Sequence, residues 1–146
     1  MEVDVGYVER TTWSQVVVGA IVTVWYLFAV LSQGVSLAEA DWVTPMLWAI
    51  GVGIVGSIVV SILWGIVAVR RHPRDRPVAD QRDRDIERFG DRIGQAFLVI
   101  GGVGALILAM LDASSFWIGN TIYLGFFVSS FVGGVARLIA YRSGMP

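Results

Sequence analysis

The residues able to do chemistry crowd into one stretch of this 146-residue chain. Residues 70–92 hold eight of the eleven arginines, with Asp75, Asp80, Asp83, Asp85, Glu87 and Asp91 among them. From residue 80 onward the charges are sorted by spacing. Asp83, Glu87 and Asp91 recur every four residues, and so do Arg84, Arg88 and Arg92. On a helix of 3.6 residues per turn each series falls on one side, an acidic ridge beside a basic one. Like charges four apart disfavour an isolated helix by about 0.2–0.5 kcal/mol per pair. Opposite charges three apart offset this: Arg82–Asp85, Arg84–Glu87, Asp85–Arg88 and Arg88–Asp91. The plain reading is a solvated helix laced with weak surface pairs. The sharper one is a contact face for a protein partner, a second copy or anionic headgroups, carried by Asp83, Arg84, Glu87, Arg88, Asp91 and Arg92. A divalent cation on the acidic ridge would be repelled by the arginines beside it.

Little else is reactive. There is no cysteine, which excludes disulfides, thiol catalysis and thiolate metal sites. His72 is the single histidine and stands in a run of arginines, where a solvated linker residue is the expected role. Hydroxyls at Ser57, Ser61, Ser129 and Ser130 lie in apolar surroundings, but a nucleophilic serine needs a base within reach. No His, Lys, Asp or Glu stands in the middle of those segments. Gly51, Gly53 and Gly56 match a G-x-G-x-x-G pattern, yet a dinucleotide loop follows a strand, and these glycines sit inside an apolar run. The expectation is a protein that is not an enzyme, with no cofactor and no metal.

The elements that carry these residues are apolar. Hydrophobic residues make up 55% and charged residues 16%, against roughly 45–50% and 25% in soluble domains. Mean hydropathy is +0.68. Lipid is the expected solvent, and a net charge of −1 argues against a nucleic-acid partner. Four long stretches lack Asp, Glu, Lys and Arg. Trimmed to helices, they give spans near 14–33, 44–69, 93–112 and 115–140 of one membrane domain, 1–146, each long enough for ~30 Å of hydrocarbon. The first span follows a leader with three acids and one arginine, unlike a secretory signal. Arg10, the eight arginines of 70–92, Arg137 and Arg142 all flank the same ends of these spans, and loops 34–43 and 112–114 hold none. The positive-inside rule then places both termini and 70–92 in the cytoplasm. Trp42, Trp48, Phe116 and Trp117 fit the outer interface, and Tyr7, Trp13 and Tyr141 the inner one. Trp25 and Trp64 read as packing residues.

Helices in lipid associate through small residues that let backbones approach. Three stripes at four-residue spacing meet that need: Gly53, Ser57, Ser61 and Gly65; Gly101, Ala105, Ala109 and Ala113; Gly125, Ser129 and Gly133. They point to an all-α, integral membrane four-helix bundle and invite a homodimer. The short link Asp112–Ser115 makes spans three and four antiparallel neighbours, with Ser114 or Ser115 capping the new helix and Asp112 near its positive end. Folding about that link brings Gly133 level with Gly94, Gly125 with Gly102, and Arg137 with Gly90 and Asp91. Arg137 is expected to pair with Asp91 or snorkel to headgroups. Between the second and third spans, Pro73 and Pro77 read as an extended linker over 70–77. From residue 80 a helix carrying Ile86, Phe89, Ile93 and Phe97 on one stripe runs on into span three, extending it into the cytoplasm.

Gln81-Arg-Asp-Arg-Asp-Ile-Glu-Arg-Phe-Gly-Asp-Arg-Ile-Gly94 resembles the cytoplasmic signature of a family of small four-span membrane proteins of actinobacteria. Leu47–Gly51, Phe116–Leu124 and the Tyr141-Arg142 ending continue the likeness. The resemblance implies the four-span fold and a bacterial plasma membrane; it implies no assigned activity and no catalytic residue. The expected function is a non-catalytic regulatory or scaffold module whose charged helix meets a protein partner or anionic lipid. The alternative is a small oligomeric transporter or channel for a neutral or weakly polar solute.

Overall fold

The computed structural model describes residues 7–37, 39–71 and 81–143. They form four α-helices: α1 (Tyr7–Leu31), α2 (Val43–Arg71), α3 (Gln81–Met110) and α4 (Ser115–Ser143). All four are long and apolar enough to cross a membrane, so the chain is all-α and has the makings of a multi-pass membrane protein. The helices outrun the apolar spans at the arginine-bearing ends. α1 starts at Tyr7, about two turns before the expected span, and so takes in Glu9 and Arg10. α2 carries Arg70 and Arg71 as helix, not as the extended linker expected there. The rest of that linker, with His72, Pro73 and Pro77, lies outside the described residues. α3 is one unbroken helix of 30 residues, about 45 Å at 1.5 Å per residue. That exceeds the ~30 Å of hydrocarbon, so its charged first turns stand clear of it.

The turns at the opposite end are closed by local hydrogen bonds. The Gln33 side chain donates to the Asp41 carbonyl (2.7 Å) and accepts from the Asp41 N–H (2.8 Å), clasping the α1–α2 loop. Asp41 then accepts from the Thr44 N–H at the start of α2. α3 ends with Asp112 at φ 53°, while the Ala113 N–H reaches the Leu108 carbonyl (3.0 Å) and the Asp112 N–H that of Ala109 (3.2 Å). This is the Schellman closure, with an aspartate in the left-handed position glycine usually takes.

α1 packs on both α2 and α4, and α4 packs along α3. The core lies toward the loop end, where Tyr26, Val30, Ala40, Ala49 and Phe116 are buried with Val22, Trp42, Met46 and Tyr123 against them. The edge of the Trp42 ring fills the space a side chain at Gly119 would need. Trp25, expected to pack, is half-exposed at 48% because it points away from that cluster.

Candidate functional site

The α3–α4 seam positions the charged end. A Cβ added to Gly101 would fall 2.6 Å from the Cα of Gly125, one on Gly94 would lie 2.7 Å from the Ser129 carbonyl, and one on Gly133 2.9 Å from that of Gly90. The two backbones therefore touch at three levels, which only small residues permit. Ala105 is buried in the same seam, whereas Ala109 is exposed. The second-span stripe behaves differently. Gly53 faces open space, and Ser61 Oγ donates back to the Ser57 carbonyl of its own helix (2.8 Å). Ser57 and Gly65 are half-buried. The approach of α2 to α1 runs instead through Gly56, against Val18, and through Trp64.

Beyond the apolar part, α3 stays docked on α4. Ile86 is buried to 2% exposure, and Gly90 and Gly94 follow it one and two turns later. Arg137 lies across Gly90, where any Cβ would stand 2.7 Å from its Nε, and its Nη2 forms an ion pair with Asp91. Its Nε is buried with no hydrogen-bond partner among the described residues. A turn further along, the Tyr141 hydroxyl donates to Asp83 Oδ1 (3.1 Å). Asp83 and Asp91, two members of the acidic ridge, thus face α4 and are engaged by it.

The basic ridge is placed oppositely. At about 100° per residue, Arg84, Arg88 and Arg92 lie on the side of α3 away from Ile86, Gly90 and Gly94. All three are exposed, as is Glu87. Arg88 Nη1 approaches Asp85 Oδ1 at 3.8 Å, a loose surface pair of little energetic consequence. Docking thus separates the two ridges: one is partly consumed inside the molecule, the other is left outward.

Two polar groupings were not anticipated from the residue pattern. Tyr26 donates its hydroxyl to Asn120 Oδ1 (2.5 Å), and Asn120 Nδ2 donates to the Phe116 carbonyl (2.8 Å). Thr23 and Tyr123 share a further hydrogen bond (3.2 Å), and the Tyr26 and Tyr123 rings lie 4.9 Å apart. These groups satisfy one another between α1 and α4, as buried polar groups in lipid must. The lone amide of Asn120 in an apolar helix was the available signal. The second grouping pairs arginine with tryptophan: Arg10 lies over Trp64 at 5.8 Å and Arg142 over Trp13 at 5.7 Å. Among the described residues no three His, Cys, Asp or Glu side chains converge on a point that could hold a metal ion. Comparison with protein families, with curated proteins and with solved structures found no match.

Proposed function

We propose that the protein is a non-catalytic module of a bacterial plasma membrane, arranged as a four-helix bundle with both termini and residues 70–92 in the cytoplasm. Its output is the basic ridge Arg84–Arg88–Arg92, which meets an acidic surface of a protein partner or anionic headgroups, with Glu87 at its edge. The observation that carries this reading is the exposure of those three guanidiniums on a helix held rigidly from behind by Ile86, Gly90 and Tyr141. A row of three like charges on a docked helix is pre-organised at its backbone, so only the side chains remain to be ordered when a partner arrives. The arginine asymmetry supports the orientation, and the likeness of 81–94 to the actinobacterial signature supports the compartment. Open glycines on α2 and α3, Gly53 and Gly102, leave room for a homodimer.

The test is photo-crosslinking in cells from a probe at position 85. Wild type is expected to give a defined adduct, and Arg84→Glu with Arg88→Glu to lose it. An adduct of unchanged yield in that double variant would remove the ridge from the contact. Labelling of position 86 from outside intact cells would overturn the orientation.

A further inference from the structure

The line of the basic ridge runs on past the point where the charges of α3 stop. Arg84, Arg88 and Arg92 are exposed on the side of α3 turned away from α4. Followed along that side, Gln95 stands about three turns from Arg84 and Gly102 about five. Both are exposed. They fall within the charge-free run that opens at Ile93, so the line passes from water into hydrocarbon. A Cβ on Gly102 would meet nothing within 4 Å. Val99 and Leu106, both exposed, stand a turn to either side, which makes Gly102 a notch between two apolar side chains. One face of one helix thus joins three guanidiniums to an amide and to a gap that admits a second backbone.

Position and direction choose among the surfaces that could meet this face. Arg92 stands at the edge of the hydrocarbon, and Arg88 and Arg84 rise about 6 and 12 Å above it. The polar layer of a bilayer is only about 5–8 Å deep on each side. Side chains on a helix lean toward its N-terminus, which in α3 points away from the bilayer. The upper guanidiniums therefore overshoot the headgroups, and a lipid surface would engage one end of the row. A second copy fits no better. Among the described residues, α1 brings Glu9 beside Arg10 to that side, α2 brings Arg70, and α4 brings Arg137 and Arg142. Two copies joined through this face of α3 would set arginine against arginine. Asp83 and Asp91 are already engaged by Tyr141 and Arg137. The pair of Arg88 with Asp85, 3.8 Å apart and exposed on both sides, is loose enough to give way to a partner.

We propose that this face receives a membrane helix of another protein, one whose flank on the arginine-bearing side carries Asp or Glu at four-residue spacing. The proposal rests on the reading of the ridge as a contact and gives that contact its partner chemistry. Carboxylates four apart on a helix rise about 6 Å per step, the same step as Arg92, Arg88 and Arg84. The span of the partner closes on the Gly102 notch, and Gln95 lies between notch and ridge, where an amide hydrogen-bonds across helices. Gly53 of α2 is left for a homodimer. Exposed ion pairs are worth about twofold each, so three of them give a preference for an acidic over a neutral flank on the order of eightfold.

The experiment is fluorescence energy transfer in phosphatidylcholine vesicles between the labelled full chain and a synthetic leucine-rich single-span helix. One version of that helix carries three glutamates at four-residue spacing on one flank, and the other carries glutamines there. Wild type is expected to bind the glutamate version with the stated preference. Arg84→Gln with Arg88→Gln is expected to lose most of that preference. Gly102→Leu fills the notch at a position that faces open space, so it should leave the fold intact and weaken both versions alike. Two outcomes overturn the proposal and leave the ridge a contact: a water-soluble peptide with the same three glutamates that competes as well as the spanning helix, or a Gly102→Leu chain that binds as wild type does. Loss of the preference when phosphatidylglycerol replaces a third of the lipid would assign the ridge to headgroups and overturn it as well. Equal binding of the two helices by wild type, or a preference that survives the arginine change, would remove the ridge itself and both readings with it.

Discussion

Gly90 shows how a single residue can set the charged end of a membrane helix. Arg137 needs a path from α4 to Asp91, and the path runs over the backbone of α3 at a position with no side chain. A methyl group there would stand 2.7 Å from both Arg137 Nε and the Gly133 carbonyl. Neither can yield cheaply, since one is a buried nitrogen of a guanidinium tied to Asp91 and the other is part of the backbone of α4. Gly90→Ala is therefore expected to destabilise the protein by about 1–3 kcal/mol, the usual cost of overpacking. Gly102 is the control. A methyl there meets open space, so Gly102→Ala should be neutral or stabilising by roughly 0.5–1 kcal/mol through helix propensity. Reversible unfolding in mild detergent reads both. The Arg137–Asp91 pair adds less than the packing around it, because the Asp91 side chain is 62% exposed. Solvent screens such a pair to about 1 kcal/mol or below.

At the scale of the element, the first three turns of α3 belong to the packed protein, although their composition reads as a free charged arm. Ile86 carries the attachment. Truncating a buried isoleucine removes its transfer energy and leaves a cavity, so Ile86→Ala is expected to cost about 2–5 kcal/mol. Phe89, 39% exposed on the flank, should cost less. Hydrogen exchange along 82–92 checks the same point: protection there should fall in Ile86→Ala and stay near wild type in Phe89→Ala. The sequence pattern makes this helix legible, along with its continuity into the span and the level of Arg137, because spacing and a short link dictate them. The docked face is harder to read. The apolar stripe Ile86, Phe89, Ile93 and Phe97 points to one side, but the true contact is centred on Gly90 and Gly94, which have no apolar bulk to register. The stripe of Gly53 and Ser57 reads as strongly as that of Gly101 and Ala105. A stripe of small residues says that a helix can be approached closely, and leaves open which helix, if any, does so. The Tyr26–Asn120 pair escapes for a related reason, since partners 94 residues apart are joined only by the fold.

For the whole molecule, the contacts define an order. α1 touches α2 and α4, and α4 touches α3, so α1 and α4 share the centre and α2 and α3 form the flanks. The tightest seam is α3–α4, where glycine backbones meet. The α1–α2 contact is looser: a Cβ at Gly56 would reach Val18 Cγ1 only at 3.4 Å, ordinary van der Waals distance. In lipid no hydrophobic force draws α2 inward to improve on that, because its apolar surface is equally well solvated by acyl chains. The absence of native cysteine makes the order testable with paired substitutions on a clean background. Val18→Cys with Gly56→Cys is the pair to close, since a Cβ on Gly56 stands 3.4 Å from Val18 Cγ1, a position that a cysteine sulfur at 18 can take. Gly53→Cys with Gly102→Cys joins α2 to α3 at two positions that face open space. Oxidation in native membranes should close the first pair within a single chain and leave the second unclosed at monomer size, whereas closure of the second would mean that the helices form a ring with α2 against α3.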